Sequence, residues 1–210
     1  MASKRYTFPD NKLPYGWTAT RVSQGGQLDG VWNRDIKNNK IYWTGVGGGT
    51  ETGWWGEKLS IPVSATGDII VEATIRQKST TSLNASFGVG FNHVLSAHPI
   101  LYGCMLTLPG TAFNTKSGFN AGVLTAFPGF PSKNSQNSTV TDQLSNIRIV
   151  RKWSGATGYV SLYMDGLYVG AFTNAVTITS VNILSAWYQA GFGCEKWLQD
   201  LSIYPSSVVL

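Results

Sequence analysis

Residues 147–172 read IRIVRKWSGATGYVSLYMDGLYVGAF and carry three short runs of β-branched and aromatic residues. The runs are 147–153, 159–164 and 167–172. Ser154, Gly155 and Gly158 break the first from the second, and Asp165-Gly166 breaks the second from the third. Asp-Gly between two alternating runs is a hairpin signal, because a type I′ turn needs positive φ at both central residues. The stretch is therefore predicted to be an antiparallel meander.

The same grammar extends outward. Residues 68–76 alternate, with Ile69, Val71, Ala73 and Ile75 on one side and Glu72, Thr74 and Arg76 on the other. Residues 86–92 alternate again, with Phe87, Val89 and Phe91 facing one way and Ser86, Gly88, Gly90 and Asn92 the other. Further strands are predicted at 17–22, 40–44 (after Asn38-Asn39), 58–63, 102–108, 177–178, 182–187 and 197–204. Pro62 places the 58–63 strand at a sheet edge. Residues 77–84 read as a polar hairpin loop, and GVGGGTETGWWGE (45–57) as a turn-rich loop. Residues 109–138 are poor in strand signal and too long for a plain connection, so they form either a functional excursion or a poorly ordered segment. No apolar period of 3.6 is sustained anywhere. The fold class expected is all-β, a two-sheet antiparallel jelly-roll sandwich. It comprises an N-terminal arm over residues 1–16, kept irregular by Pro9 and Pro14, and one domain over 17–210.

Several strings resemble the concanavalin A-like family of lectins, laminin G-type modules and β-glucanases. They are IRIVR, YVSLYMDG and LYVGAF in the middle, WLQDLSIYP at 197–205, and FPDNKLPYGWTATRVSQGGQLDGVWNRDIKNNKIYWTG at 8–45. The resemblance spans most of the chain and implies the jelly roll; hairpin chemistry of this kind implies no activity by itself.

Composition narrows the function. Charged residues are 13% of the chain and the net charge is +5. The basic residues are scattered. Arg148, Arg151, Lys152 and Trp153 come nearest to a nucleic-acid patch, and read instead as a strand edge guarded by charge. No nucleic-acid partner is expected. No apolar run reaches the ~20 residues of a membrane-spanning helix. The start, MASKRYTFPD, has no apolar signal region. The chain is therefore expected to act where it is made or to leave inside a virus particle. Cys104 and Cys194, the two cysteines, are expected to be buried free thiols.

Catalysis finds little support. Glycosidases need two carboxyl groups about 5–10 Å apart. The β-glucanases of the resembling family place theirs in an E-x-D-x-x-E or E-x-D-x-E pattern, and no two acids here lie two apart. Asp68 and Glu72 share a strand face but stand ~13 Å apart. His93 and His98 lack a nearby acid for a zinc site. Lectins of the resembling family often hold calcium. Asp35 with Asn38 and Asn39 offers suitable groups, yet turn formation explains those asparagines and no cofactor is indicated.

Binding is the better expectation. Aromatic rings pack on the apolar faces of sugars beside amides and carboxylates, so half-wet rings are the candidates. Three sets stand out: Trp54 and Trp55 in the Gly-rich loop, Phe127 and Phe130 in TAFPGFPS, and the polar face of the 68–76 strand. If that strand pairs with 86–92, Glu72, Thr74 and Arg76 border a trough floored by Gly88, Gly90 and Asn92. Each set also reads as lid packing or a solvated face. The function expected is a non-catalytic surface module of a virus or phage particle (decoration, fibre-head or receptor-binding type) that binds a glycan or a capsid or tail protein. The alternative is a carbohydrate-binding module or glycoside hydrolase of the concanavalin A-like superfamily. The apolar ends, with Tyr6, Phe8, Leu13 and Tyr15 at one and Val208-Val209-Leu210 at the other, need cover from their own sandwich or from a neighbouring subunit of a homo-oligomer.

Overall fold

The structure is a computed structural model, which describes residues 4–8, 12–23, 31–46, 53–63, 67–79, 85–95, 99–108, 117–120, 123–125, 142–154, 157–174, 179–188 and 194–205. The described residues form β1 (Lys4–Arg5), β2 (Thr18–Ser23), β3 (Val31–Lys37), β4 (Lys40–Val46), β5 (Trp54–Pro62), β6 (Ile69–Ser79), β7 (Ala85–Leu95) and β8 (Pro99–Leu108). They continue with β9 (Ser117–Asn120), β10 (Val123–Thr125), β11 (Asp142–Ser154), β12 (Thr157–Met164), β13 (Leu167–Asn174), β14 (Ser180–Tyr188) and β15 (Cys194–Pro205). One sheet has eight strands in the order β13-β12-β11-β6-β15-β4-β3, with β1 added against β15. The other has seven, in the order β10-β9-β8-β7-β14-β5-β2. All pairings are antiparallel, so the sandwich expected from the strand pattern is what forms.

The β11–β12–β13 meander matches the predicted one, and its turn is type I′. Asp165 has φ 52° and Gly166 φ 79°. The turn also grips the neighbouring strand. Asp165 N–H donates to the Asn146 carbonyl at 2.7 Å, and its Oδ1 accepts from Asn146 N–H at 2.9 Å and from Ser145 Oγ at 3.1 Å. Asn38 and Asn39 form the equivalent turn between β3 and β4, with φ 52° and 57°. Asn39 Oδ1 accepts from Phe8 N–H at 2.8 Å, which draws the N-terminal arm onto the sheet. Phe8 and Trp17 are buried in the core, where Tyr6 and Phe8 pack edge-on against Trp17.

Four expectations change. Pro62 does not mark an edge: β5 lies between β14 and β2, and Pro62 is its last residue, where a missing N–H costs least. Residues 54–57 of the supposed turn-rich loop are strand. β6 and β7 belong to different sheets, so the connection at 80–84 is a crossover and not a hairpin. β11 is not a guarded edge, because it lies between β12 and β6, and Arg151 is fully buried, donating twice to the Gly67 carbonyl. The 109–138 segment contains β9 and β10. Thr177, Ile178 and the 206–210 tail lie outside the described residues.

The core fills the space between the sheets. It includes the inward side of β6, Phe87, Val89 and Phe91 of β7, and the stacked pair Trp55 and Trp187, whose ring centroids are 4.9 Å apart. The backbones of β5 and β14 come so close there that a Cβ on Gly56 would sit 2.1 Å from the Ser185 carbonyl oxygen. Cys104 and Cys194 are free and buried, as expected.

One layer of this core is polar. Register aligns Gln77, Lys196, Trp43 and Arg34 across the inner face of the larger sheet. It aligns Ser185, Glu57 and Arg21 across the smaller one. Glu57 bridges the two sheets: Trp43 Nε1–H donates to Oε2 at 2.7 Å and the Arg34 guanidinium pairs with Oε1. A buried carboxylate is tolerable only with such partners. Lys196 has no exposed surface; its Nζ donates to the Ala186 carbonyl and lies 3.6 Å from the centroid of the Trp187 ring. Burial holds its ammonium down from the ordinary 10.5 to about 7.

Two predictions follow from the turn and the polar layer. A Cβ on Gly166 would meet nothing within 4 Å, so any cost of a side chain there is backbone strain alone. Gly166→Val should lower unfolding stability by about 1–3 kcal/mol, and unchanged urea or thermal denaturation would place the strain elsewhere. Folded Lys196 binds its proton less tightly than unfolded Lys196. Stability from this residue is therefore complete above 10.5 and falls with pH until about 7, below which the penalty is constant. Lys196→Met should flatten that slope between pH 7 and 10. Denaturation midpoints that keep the wild-type pH profile would show that the lysine stays charged in the core.

Candidate functional site

The outward side of β6 carries Glu72, Thr74 and Arg76, set there by the period of two that turns Ile69, Val71, Ala73 and Ile75 into the core. The neighbours of β6 are β11 and β15, so rows of outward residues run across the larger sheet. One row is Tyr168, Tyr163, Arg148, Glu72 and Ser202. The next is Asn146, Thr74 and Gln199. A third is Leu144, Arg76, Trp197, Tyr42 and Asp35.

The first two rows enclose a hollow of about 690 Å³, whose lining includes Glu72, Thr74, Asn146, Arg148, Tyr163 and Asp200. The Arg148 guanidinium reaches Glu72 at 3.1 Å. Both side chains are partly exposed, so the pair contributes at most about 1 kcal/mol to stability and leaves its polar edges to solvent or a ligand. Thr74 Oγ1 donates to Asn146 Oδ1 at 2.9 Å. Asn146 is placed by the clasp of Asp165 on its backbone, so the hairpin turn positions this site residue. Tyr163 packs edge-on against Tyr168, with centroids 5.6 Å apart, and Tyr168 is 60% exposed. The bulge at Asp200, φ 54°, brings that acid into the same hollow, where Arg5 meets it at 3.4 Å.

Arg76 closes the far side of this region. Its Nε donates to Asp142 Oδ1 at 2.6 Å and its Nη2 pairs with the other oxygen. That hydrogen bonding holds the Asp142 carboxyl below the usual range and pushes Arg76 up. Trp197 stands beside it, with Arg76 at 5.8 Å and Lys40 at 4.6 Å from its ring.

The residues expected to bind a ligand are thereby dispersed. Glu72 and Arg76 share this outer face. Their expected partners do not: Gly88 and Gly90 lie on the other sheet, buried opposite Leu184 and Asn182, themselves almost wholly covered. The trough expected from pairing 68–76 with 86–92 therefore does not form. Trp55 is completely buried against Trp187 and is corrected from surface candidate to core residue. The side chains of Trp54 and Asn92, and all of Phe127 and Phe130, lie outside what is described. Asn146, Arg148, Tyr163 and Asp200 were not singled out as binding residues. Arg148 and Tyr163 occupy outward positions of the predicted meander, but their convergence with Glu72 depends on β11 pairing with β6.

The calcium candidate does not fit. Asp35 is paired with Lys37 and Asn39 accepts the Phe8 N–H, so both are committed to the β3–β4 hairpin and the arm. No group of three His, Cys, Asp or Glu able to hold a metal ion occurs among the described residues.

No family model and no curated protein sequence matches this chain. Solved structures do resemble it. Lectin UEA-II complexed with galactose has a TM-score of 0.51 and 10% identity, covering 96% of this chain and 97% of its own. The carbohydrate recognition domain of Emp47p has a TM-score of 0.49 and 13% identity, with 95% of each chain covered. The lectin from Bauhinia forficata in complex with GalNAc has 0.49 and 7%, with 96% of this chain and 97% of that one. At such identities the likeness is one of fold, and it names the architecture: a concanavalin A-like jelly roll of two antiparallel sheets.

Proposed function

We propose that this chain is a non-catalytic glycan-binding module whose ligand docks on the outer face of the eight-stranded sheet. The observation that carries the reading is the hollow in which Tyr163 adjoins Asn146, Thr74 and the Glu72–Arg148 pair. An aromatic ring flanked by amide, hydroxyl and charged groups suits the alternating apolar and hydroxyl surfaces of a sugar. The fold shared with a lectin complexed with galactose supports the same reading. It favours the expected alternative, a carbohydrate-binding module, over a module of a virus or phage particle; a capsid or tail partner draws no support from these likenesses.

The hollow does bring together two acids distant in sequence, Glu72 and Asp200. Each faces a guanidinium, Arg148 and Arg5 respectively. The oxygens of these ion-paired carboxylates are acceptors for sugar hydroxyls.

A glycan array probed with the whole chain tests the proposal. Binding should fall at least tenfold in Tyr163→Ala while the melting temperature stays close to wild type, since Tyr163 is only partly buried and lies on the outer face, outside the core. No reducing ends should appear on incubation with the bound glycan. An array with no ligand, or Tyr163→Ala binding as well as wild type, would refute the site. Steady hydrolysis abolished by Glu72→Gln or Asp200→Asn would make the chain a glycosidase instead.

A further inference from the structure

The larger sheet carries a second hollow, of about 630 Å³, on strands β3, β4 and β15. Its lining repeats the chemistry of the first. Asn33 stands for Asn146, Thr44 for Thr74, the Asp35–Lys37 ion pair for Glu72–Arg148, and Tyr42 for Tyr163. Both hollows thus offer a tyrosine, an amide, a threonine hydroxyl and a self-neutralised charge pair. The row Arg76, Trp197, Tyr42 and Asp35 joins the two regions without leaving the face. Tyr163 on β12 and Tyr42 on β4 are four strand spacings apart across the sheet, about 19 Å, and four residues apart along it, about 13 Å, which makes about 23 Å in all. That separation exceeds one sugar ring and matches a run of several.

We infer that the face takes a linear glycan of repeating units, laid across the strands with one segment in each hollow and the Trp197 ridge beneath its middle. This rests on the glycan-binding reading and adds to it the class of ligand: an extended chain, in place of a terminal sugar. The chain is uncharged: Lys40 stands over the Trp197 ring, the hollows add the carboxylates of Asp200 and Glu195, and the ion-paired cations already face carboxylates of the protein, Arg148 facing Glu72, Arg76 facing Asp142, Lys37 facing Asp35 and Arg34 facing Glu57. A sulfated or uronic chain would compete with those carboxylates for every one of these cations.

Titration calorimetry with ladders of one to eight sugars tests the inference on the intact chain. The ladders would be β-1,4-linked glucose, N-acetylglucosamine, mannose and galactose, and β-1,3-linked glucose. Affinity should rise at least tenfold between the disaccharide and the hexasaccharide of the series that binds, with one ligand per protein, since the second contact is made at high effective concentration. Tyr42→Ala and Asn33→Ala should each remove that gain and leave disaccharide affinity unchanged; Tyr163→Ala should weaken every length. Melting temperatures near wild type exclude misfolding, and Asn33→Ser offers a milder second variant should Asn33→Ala unfold. Disaccharide binding with no gain in longer chains, or two short ligands per protein, would overturn the spanning chain and leave the single-hollow site standing. Absence of binding at every length in all series would overturn both.

Discussion

A carboxylate buried between the two sheets holds this sandwich in register. Glu57 is 7% exposed, on a strand of the smaller sheet, and takes hydrogen from Trp43 and Arg34 on two strands of the larger one. Apolar contacts between sheets are non-directional and tolerate sliding. A charge-assisted hydrogen bond does not, because moving one strand by a residue would leave a charge unpaired in the interior. Lys196 acts similarly one strand further in, with its ammonium against the Trp187 ring and the Ala186 carbonyl. Such groups add little to stability against an apolar replacement. Their effect here is to specify which residues face each other, and so which residues the strands turn outward.

The outward face inherits that register. Once Ile75 and Leu198 point inward, Thr74, Arg76, Gln199 and Trp197 must point outward, since side chains alternate along a strand. The rows that line both hollows are thus consequences of the core. The Asp165 turn adds a local constraint, because its carboxylate fixes the backbone at Asn146 and the hollow opens next to it. Stability and site share these residues, and substitutions in the turn should be felt in both.

The repeated set of tyrosine, asparagine, threonine and ion pair sits on segments 33–44 and 72–163, which share no sequence repeat. The two sets match in chemistry but not in order along the chain. Their likeness is therefore a property of the surface, created where unrelated strands converge.

How much of this was legible beforehand depended on the range of the interaction involved. Asp165-Gly166 announced its turn because positive φ is a demand on two adjacent residues, and the alternation of 68–76 announced a strand with one buried side because burial pattern is also local. β3 escaped notice because in VWNRDIK the charged Arg34 stands between Trp32 and Ile36 on the inner face and Val31 opens the outer one, which blurs the alternation. Trp54-Trp55-Gly56-Glu57 looked like loop because glycines precede it, yet Gly56 is required there by the close approach of the Ser185 backbone, a contact across 129 residues of sequence. By itself the sequence determined the all-β class, the Asp165-Gly166 hairpin, and which side of each clear strand was apolar. The tertiary structure alone decided that β6 lies between β11 and β15 and not beside β7, that Trp55 is core, and that Glu72 meets Arg148 in a hollow shared with Tyr163. The physical reason is that strand order in an antiparallel sandwich is set by packing between segments far apart in the chain, to which no local pattern is a guide.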